Sequence, residues 1–372
     1  PFNNRILSAC EYRVRLHCRD WHREIVHNEN HGNNDNERCK EPVGHEDMAH
    51  FSLGKGAESL GIGSRNVVAV ETDADNSIRP DLLAQRCDEL QRAGTRVMAI
   101  VGVAGSSETG SIDPLNTMAD IAQGRGIHFH VDSAWGGPTL FSRKHRRLLA
   151  GIERADSVTI DAHKQLYVPM GAGLCVFKRP ETLASVEHHA EYIIRKGSKD
   201  LGSHSVEGSR PGMAVLVHAG LHIIARSGYE LLIDEGIAKA KAFAEIIEAT
   251  SDFELISEPE LNILTYRYMP EAAKALLASS DSAQRSAANV VLNRITRLIQ
   301  KTQRGLGLSF VSRTQLNPQR YDREPVVVFR VVLANPLTTM DILQNILEEQ
   351  RSIAADQAVQ EEIQSLSSLQ GR

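Results

Sequence analysis

The chain has 372 residues, 41% of them hydrophobic, enough for one large domain and a smaller one built on a sizeable core. Its 42 Lys and Arg stand against 47 Asp and Glu, a formal charge of -5 with no basic block, which excludes a protein that tracks a nucleic-acid backbone. No apolar run reaches the roughly 18 residues of a membrane span, and the N-terminus carries neither a signal-peptide core nor an amphipathic transit pattern, so no membrane role is expected.

Residues 1–45 form an irregular N-terminal segment. HNENHGNNDNER has no hydrophobic period and is expected to be loop or disordered. The composition changes abruptly near residue 45, which fits a foreign or frame-altered segment. Cys18, His22, His27, His31 and Cys39 lie here, but their spacings follow no standard zinc pattern, and no metal site is expected. With Cys10, Cys87 and Cys175 the chain has five cysteines, an odd number without close pairing, which argues for a cytoplasmic protein rather than a disulfide framework.

Residues 46–228 alternate short runs rich in valine and isoleucine with helix-like stretches, the pattern of an α/β domain with a mainly parallel sheet. The expected strands are NVVAV (66–70), RVMAIVGV (96–103), IHFHVD (127–132), SVTID (157–161) and GLCVF (173–177). DLLAQRCDELQRAG and NTMADIAQGRG read as helices, each closed by a glycine suited to the left-handed cap. A ligand is expected at the C-terminal ends of the strands. Residues 229–372 read as a smaller α+β domain. Ile237, Ala240, Phe243, Ala244 and Ile247 share a helical face, FELI, LNILTYRY and PVVVFRVVL are strands, and Thr338 with Asp341 caps the last helix.

Two strand ends carry the chemistry. HVDSAWGG places Asp132 at the end of a buried strand, and SVTIDAHK brings Lys164 to the same edge one strand later. A lone aspartate there is usually a cap, and a lone lysine a solvated charge. Enclosed between a β-branched run and VPMGAG, however, Lys164 can be desolvated to the neutral amine that condenses with an aldehyde. Asp132 can then keep a pyridine nitrogen protonated, making that ring an electron sink. Ala134 is small enough for a ring to lie against it. Arg330 interrupts PVVVFRVVL on a face shared with Val326, Val328 and Val332, where an unpaired charge is expensive to bury.

HVDSAW, HRRLLAGIERADSVTIDAHKQ and AGSSETGSIDP (104–114) resemble the group II pyridoxal-phosphate decarboxylases of glutamate, aromatic amino acids and cysteine sulfinate. The resemblance runs from about residue 46 to 355 and is nearest the bacterial pyridoxal-dependent aspartate decarboxylases, with glutamate decarboxylases next. It implies a type I, aminotransferase-like fold, a pyridoxal 5'-phosphate cofactor, an amino-acid substrate and a homodimer with active sites near the interface. It also implies roles for single residues. His50 in HFSLGKGAESLGIG matches the histidine stacked on the cofactor face opposite Ala134. Ser106 and Ser107 stand where the family has two threonines, one bonding the cofactor, and His163 resembles a residue contacting the phosphate and the substrate region. FRVVLANP resembles the segment whose arginine, here Arg330, grips the substrate carboxylate as a two-pronged fork. The substrate amine would displace Lys164, the α-carboxylate would leave as carbon dioxide, and a proton would take its place.

Two departures stand out. No Ser/Gly/Thr-rich phosphate turn lies between Pro1 and His50, so weakened cofactor binding is expected, and a non-catalytic homologue is one alternative. The loop RKGSKDLGSHSVEGSRPG lacks the proton-delivering tyrosine that the family often carries there; Tyr192 lies just before it, and Lys199 and His204 are the candidate donors. A pyridoxal lyase or aminotransferase would use the same Asp132 and Lys164.

Overall fold

The computed structural model describes Leu7–Ser8 and residues 50–195, 197–198, 200–205 and 210–370. Strands β2 (Ala99–Val103), β3 (His128–Asp132) and β4 (Ser157–Asp161) run parallel, so Val103, Asp132 and Asp161 end at one edge. Their register pairs Val103 with Asp132 and Asp132 with Thr159. β5 (Gly173–Phe177) returns antiparallel to β4, because the short turn after Asp161 is too brief for a crossover helix. β1 (Leu7–Ser8) adds to the edge of β5, a short strand inside the segment expected to be irregular.

NVVAV is not a strand. Residues 64–66 form a 3-10 turn and 68–70 are irregular, leading to an isolated bridge between Thr72 and Ile78. β-branched residues favour a pleated surface but need a neighbouring strand to pair with.

The helices follow their local signals. α1 spans Ser52–Ser59. α2 (Pro80–Arg92) starts on a proline with Asp81 in its first turn, and Gly94 after it has φ 78°. α3 is Leu115–Gly124, followed by Gly126 at φ 64°. Phe129 and Val131 on one face of β3 pack with Leu115, Met118 and Ala122 of α3.

α4 (Met213–Ile223) leads into α5 (Ala225–Ala249), a helix that serves two cores. Its Tyr229, Ile233 and Ile237 join the core of the first sheet, while Ala240, Phe243, Ala244 and Ile247 join that of the second. The two cores therefore part inside this helix, between Ile237 and Ala240.

The second sheet is antiparallel in the order β6 (Phe253–Ser257), β7 (Ile263–Tyr268), β9 (Val326–Val332) and β8 (Ser312–Leu316). α6 (Glu271–Leu277), α7 (Ser282–Leu306), α8 (Met340–Ala354) and α9 (Gln357–Gln370) complete the chain. Asp281 caps α7 by accepting the Ala283 N–H at 2.9 Å. Thr339, not Thr338, caps α8, accepting from Ile342 at 3.3 Å, and α8 is followed by α9 rather than ending the fold. β8 and α9 are elements that sequence patterning did not predict.

Candidate active site

The strand ends of the first sheet enclose a cavity of about 150 Å³. His50, Ser107, Asp132, Ala134 and Lys164 all line it, so five of the residues singled out from sequence converge. Asp132 and Lys164 reach it because β3 and β4 are adjacent and parallel; Lys164 sits three residues beyond the end of β4, where its N–H bonds the Asp161 carbonyl at 3.3 Å.

Backbone packing fixes the floor. The Asp132 carboxylate accepts the Ala134 N–H at 3.0 Å, which holds both residues in one tight turn. Gly136 then donates to the Ala104 carbonyl at 3.0 Å. A Cβ at Gly136 would lie 2.3 Å from that same oxygen, so only glycine allows the loop after β3 to press on the loop after β2.

That second loop separates the two serines. Gly105 (φ 96°) and Gly110 (φ 77°) bracket a tight turn closed by the Ala104–Ile112 bridge. Ser106, 1% exposed, points inward, its hydroxyl 2.8 Å from Thr109 Oγ1 and 3.0 Å from Ser111 Oγ. Ser107 lines the cavity, and its carbonyl accepts the Arg330 Nε–H at 2.5 Å from the second sheet. Arg330 is thus attached to the cavity rim without lining it. Burial lowers its pKa from the ordinary value, and the nearby Glu108 charge acts in the opposite direction.

His50 lies at the start of α1 with its Nδ1 2.8 Å from Ser52 Oγ and its ring tilted 35° to that of Phe51, 4.1 Å between centroids. Burial, then the Lys164 charge, lower its pKa against Asp132 and Asp161, so the imidazole is neutral at neutral pH. His163 does not line the cavity. Its Nδ1 lies 3.4 Å from the Ala172 carbonyl and its Nε2 3.8 Å from Asp161. His204 bonds Ser203 at 2.7 Å, Tyr192 is exposed, and neither lines the cavity. Lys199 and the cysteines and histidines at 18, 22, 27, 31 and 39 lie outside the described residues.

Sequence reasoning missed Asp161, Trp135 and Thr159, which also line the cavity. Asp161 Oδ2 pairs with Lys164 Nζ at 2.9 Å. It ends SVTID as Asp132 ends HFHVD, so the signal that found one acid was available for the other. Trp135 donates its indole N–H to Asn262 at 2.9 Å, a second tie between the sheets beside the cavity.

Residues 8–269 match the pyridoxal-dependent decarboxylase conserved domain. The chain belongs to the pyridoxal-dependent decarboxylase family. It is 56% identical over 313 residues to the aspartate 1-decarboxylase of Aliivibrio fischeri, covering 84% of this chain and 57% of that protein. It is 33% identical over 236 residues to the acidic amino acid decarboxylase GADL1 of Bos taurus, covering 61% and 45%. The crystal structure of mouse CSAD in apo form superposes with a TM-score of 0.73 at 26% identity, covering 83% of this chain and 63% of that one. The chain thus spans about half the length of the curated relatives it matches, and the fold is the α/β type I fold of pyridoxal-phosphate enzymes.

The cavity residues fit the family's cofactor. Its volume is on the scale that accepts one aromatic ring, roughly that of a 150 Å³ cavity known to take up benzene. An amine, a carboxylate, a neutral imidazole and a methyl-sized floor line it in one shell, the donor set that a pyridine aldehyde requires.

Proposed function

We propose that this protein removes the α-carboxylate of an acidic L-amino acid, L-aspartate, giving β-alanine and carbon dioxide. The observation that carries this reading is the convergence of Asp132 and Lys164 on one cavity. The likeness to the Aliivibrio aspartate 1-decarboxylase supports aspartate, and that to the Bos taurus acidic amino acid decarboxylase supports an acidic substrate more generally.

When bound, pyridoxal phosphate supplies an electron sink for the carbanion left by loss of carbon dioxide. Lys164 would hold the cofactor through its amine, and Asp161, 2.9 Å from Nζ, would pair with that side chain whenever it is free and protonated. Asp132 would keep the ring nitrogen protonated, and Ala134, the neutral His50 and Ser107, which line the same cavity, would hold the ring. Ser106 shapes the loop after β2 from within, and His163, beside Lys164 in the chain, would serve the phosphate and the substrate region. Arg330 orients the substrate carboxylate, so that the bond to be broken stands across the ring plane.

Arg330→Lys is expected to weaken substrate capture more than cofactor capture. An ammonium cannot reproduce a planar fork, and losing one charge-assisted hydrogen bond costs about 1.5 to 3 kcal/mol, about one to two decades in KM. Unchanged KM would remove Arg330 from the substrate site. Incubating the protein with pyridoxal phosphate and, separately, aspartate, glutamate and tyrosine tests the choice of substrate. β-Alanine from aspartate is expected, and an amine from glutamate or tyrosine alone would refute it.

A homodimer fits the exposed apolar residues of the first lobe, among them Val215, Ile223 and Leu231 of α4 and α5. Among the described residues, no helix is long and apolar enough to cross a membrane, and Cys87 and Cys175 are free thiols, in keeping with a cytoplasmic enzyme.

A further inference from the structure

We propose that Thr159, His130, Ser157 and His128 form a proton relay that joins the cavity floor beside Asp132 to the far end of the first sheet. The inference rests on the reading that Asp132 holds a protonated ring nitrogen. Thr159 lines the cavity and is the cross-strand partner of Asp132. Its Oγ1 lies 3.2 Å from His130 Nε2. His130 Nδ1 lies 2.8 Å from Ser157 Oγ, and the same oxygen lies 2.8 Å from His128 Nε2. Three hydrogen bonds thus run unbroken along one face of β3 and β4.

The face is unusual for buried strands. Phe129, Val131, Val158 and Ile160 on its reverse are apolar and pack into the core, as a covered sheet requires. His130, Ser157 and Thr159 are no more than 8% exposed, and each could have been apolar without loss of the fold's pattern. Every member of the chain both donates and accepts, which a conduit demands and a mere filler does not. Burial drops the pKa of His130 to about 4, and burial likewise lowers that of His128. Both imidazoles are therefore neutral at neutral pH, each with one N–H and one lone pair.

The step balances without oxidation or reduction. A proton enters at His128 Nδ1 and the one on Nε2 passes to Ser157; the Ser157 proton passes to His130 Nδ1, the one on His130 Nε2 to Thr159, and the Thr159 proton to the carboxylate of Asp132, its cross-strand neighbour, from which it would pass to the ring nitrogen. Rotation of the hydroxyls and exchange of the imidazole tautomers reset the chain. Among the described residues, the charged groups facing it are Asp156 and Arg179 at His128, and Asp132, Asp161 and Lys164, which line the cavity with Thr159. Opposite Thr159 lies Cys175, whose thiol burial raises to about 11 and so keeps protonated.

The test uses the full chain saturated with deoxypyridoxine phosphate, the cofactor analogue in which a methyl replaces the aldehyde, labelled at its ring nitrogen. Nuclear magnetic resonance follows exchange of the ring N–H into deuterated solvent for the parent, Thr159→Val and Ser157→Ala. A positioned proton transfer is worth about 10²-fold or more, so exchange is expected to slow by about that factor in both variants with the dissociation constant unchanged. A protonated bound analogue whose exchange is equally fast in parent and variants overturns the relay alone. An analogue that binds without a ring proton, or does not bind, overturns the relay together with the role given to Asp132.

Discussion

Lys164→Ala is expected to abolish the borohydride-reducible bond between pyridoxal phosphate and the protein and to reduce turnover to background. The bond needs an amine inside the cavity, and among the described residues Lys164 is the lysine that lines it. Lys55 is the nearest alternative in sequence to the cavity's His50, but it is exposed and its Nζ lies 4.5 Å above the Phe51 ring. The variant loses a long side chain from an open cavity, so the fold should persist and the chain should still bind the cofactor reversibly. Mass spectrometry after borohydride treatment reads the result. An adduct of the parent's mass in the variant would show that another lysine carries the cofactor.

Asp132→Asn is expected to keep reversible cofactor binding and lose about 10²- to 10³-fold in turnover, the usual cost of removing one preorganised charge from a reacting centre. The asparagine oxygen can still accept the Ala134 N–H that Asp132 accepts at 3.0 Å, so the floor of the cavity is retained. What is lost is the negative charge that holds the ring nitrogen protonated. Because the change leaves the shape intact, a fall in turnover without a fall in thermal stability isolates that charge. Turnover within a few-fold of the parent would make Asp132 a turn-forming residue only.

Much of this site could be read from sequence because its chemistry sits at strand ends, where burial and periodicity point to the same residues. SVTID and GLCVF form strands over the residues expected, and HVD delivers Asp132 to the edge shared with Lys164. The misses have physical causes. NVVAV carried strand propensity but no partner to pair with, and propensity alone does not make a sheet. β8 escaped because SRTQL is a polar edge strand that buries only Leu316. α9 is polar over most of its surface, yet Val359, Ile363 and Leu366 at helical spacing dock it on the second core. Ser106 and Ser107 were indistinguishable in sequence. Only the turn between two left-handed glycines decides that Ser107 faces the cavity and Ser106 the interior.

The central claim is tested most directly by following the fate of the α-carboxylate. Aspartate labelled at that carbon is incubated with the protein and pyridoxal phosphate, and the label in released carbon dioxide is compared with the β-alanine formed. The account predicts one labelled carbon dioxide for each β-alanine, with none from Lys164→Ala. Label retained in a keto acid, or consumption of aspartate without carbon dioxide, would place the protein among aminotransferases or other lyases and contradict it.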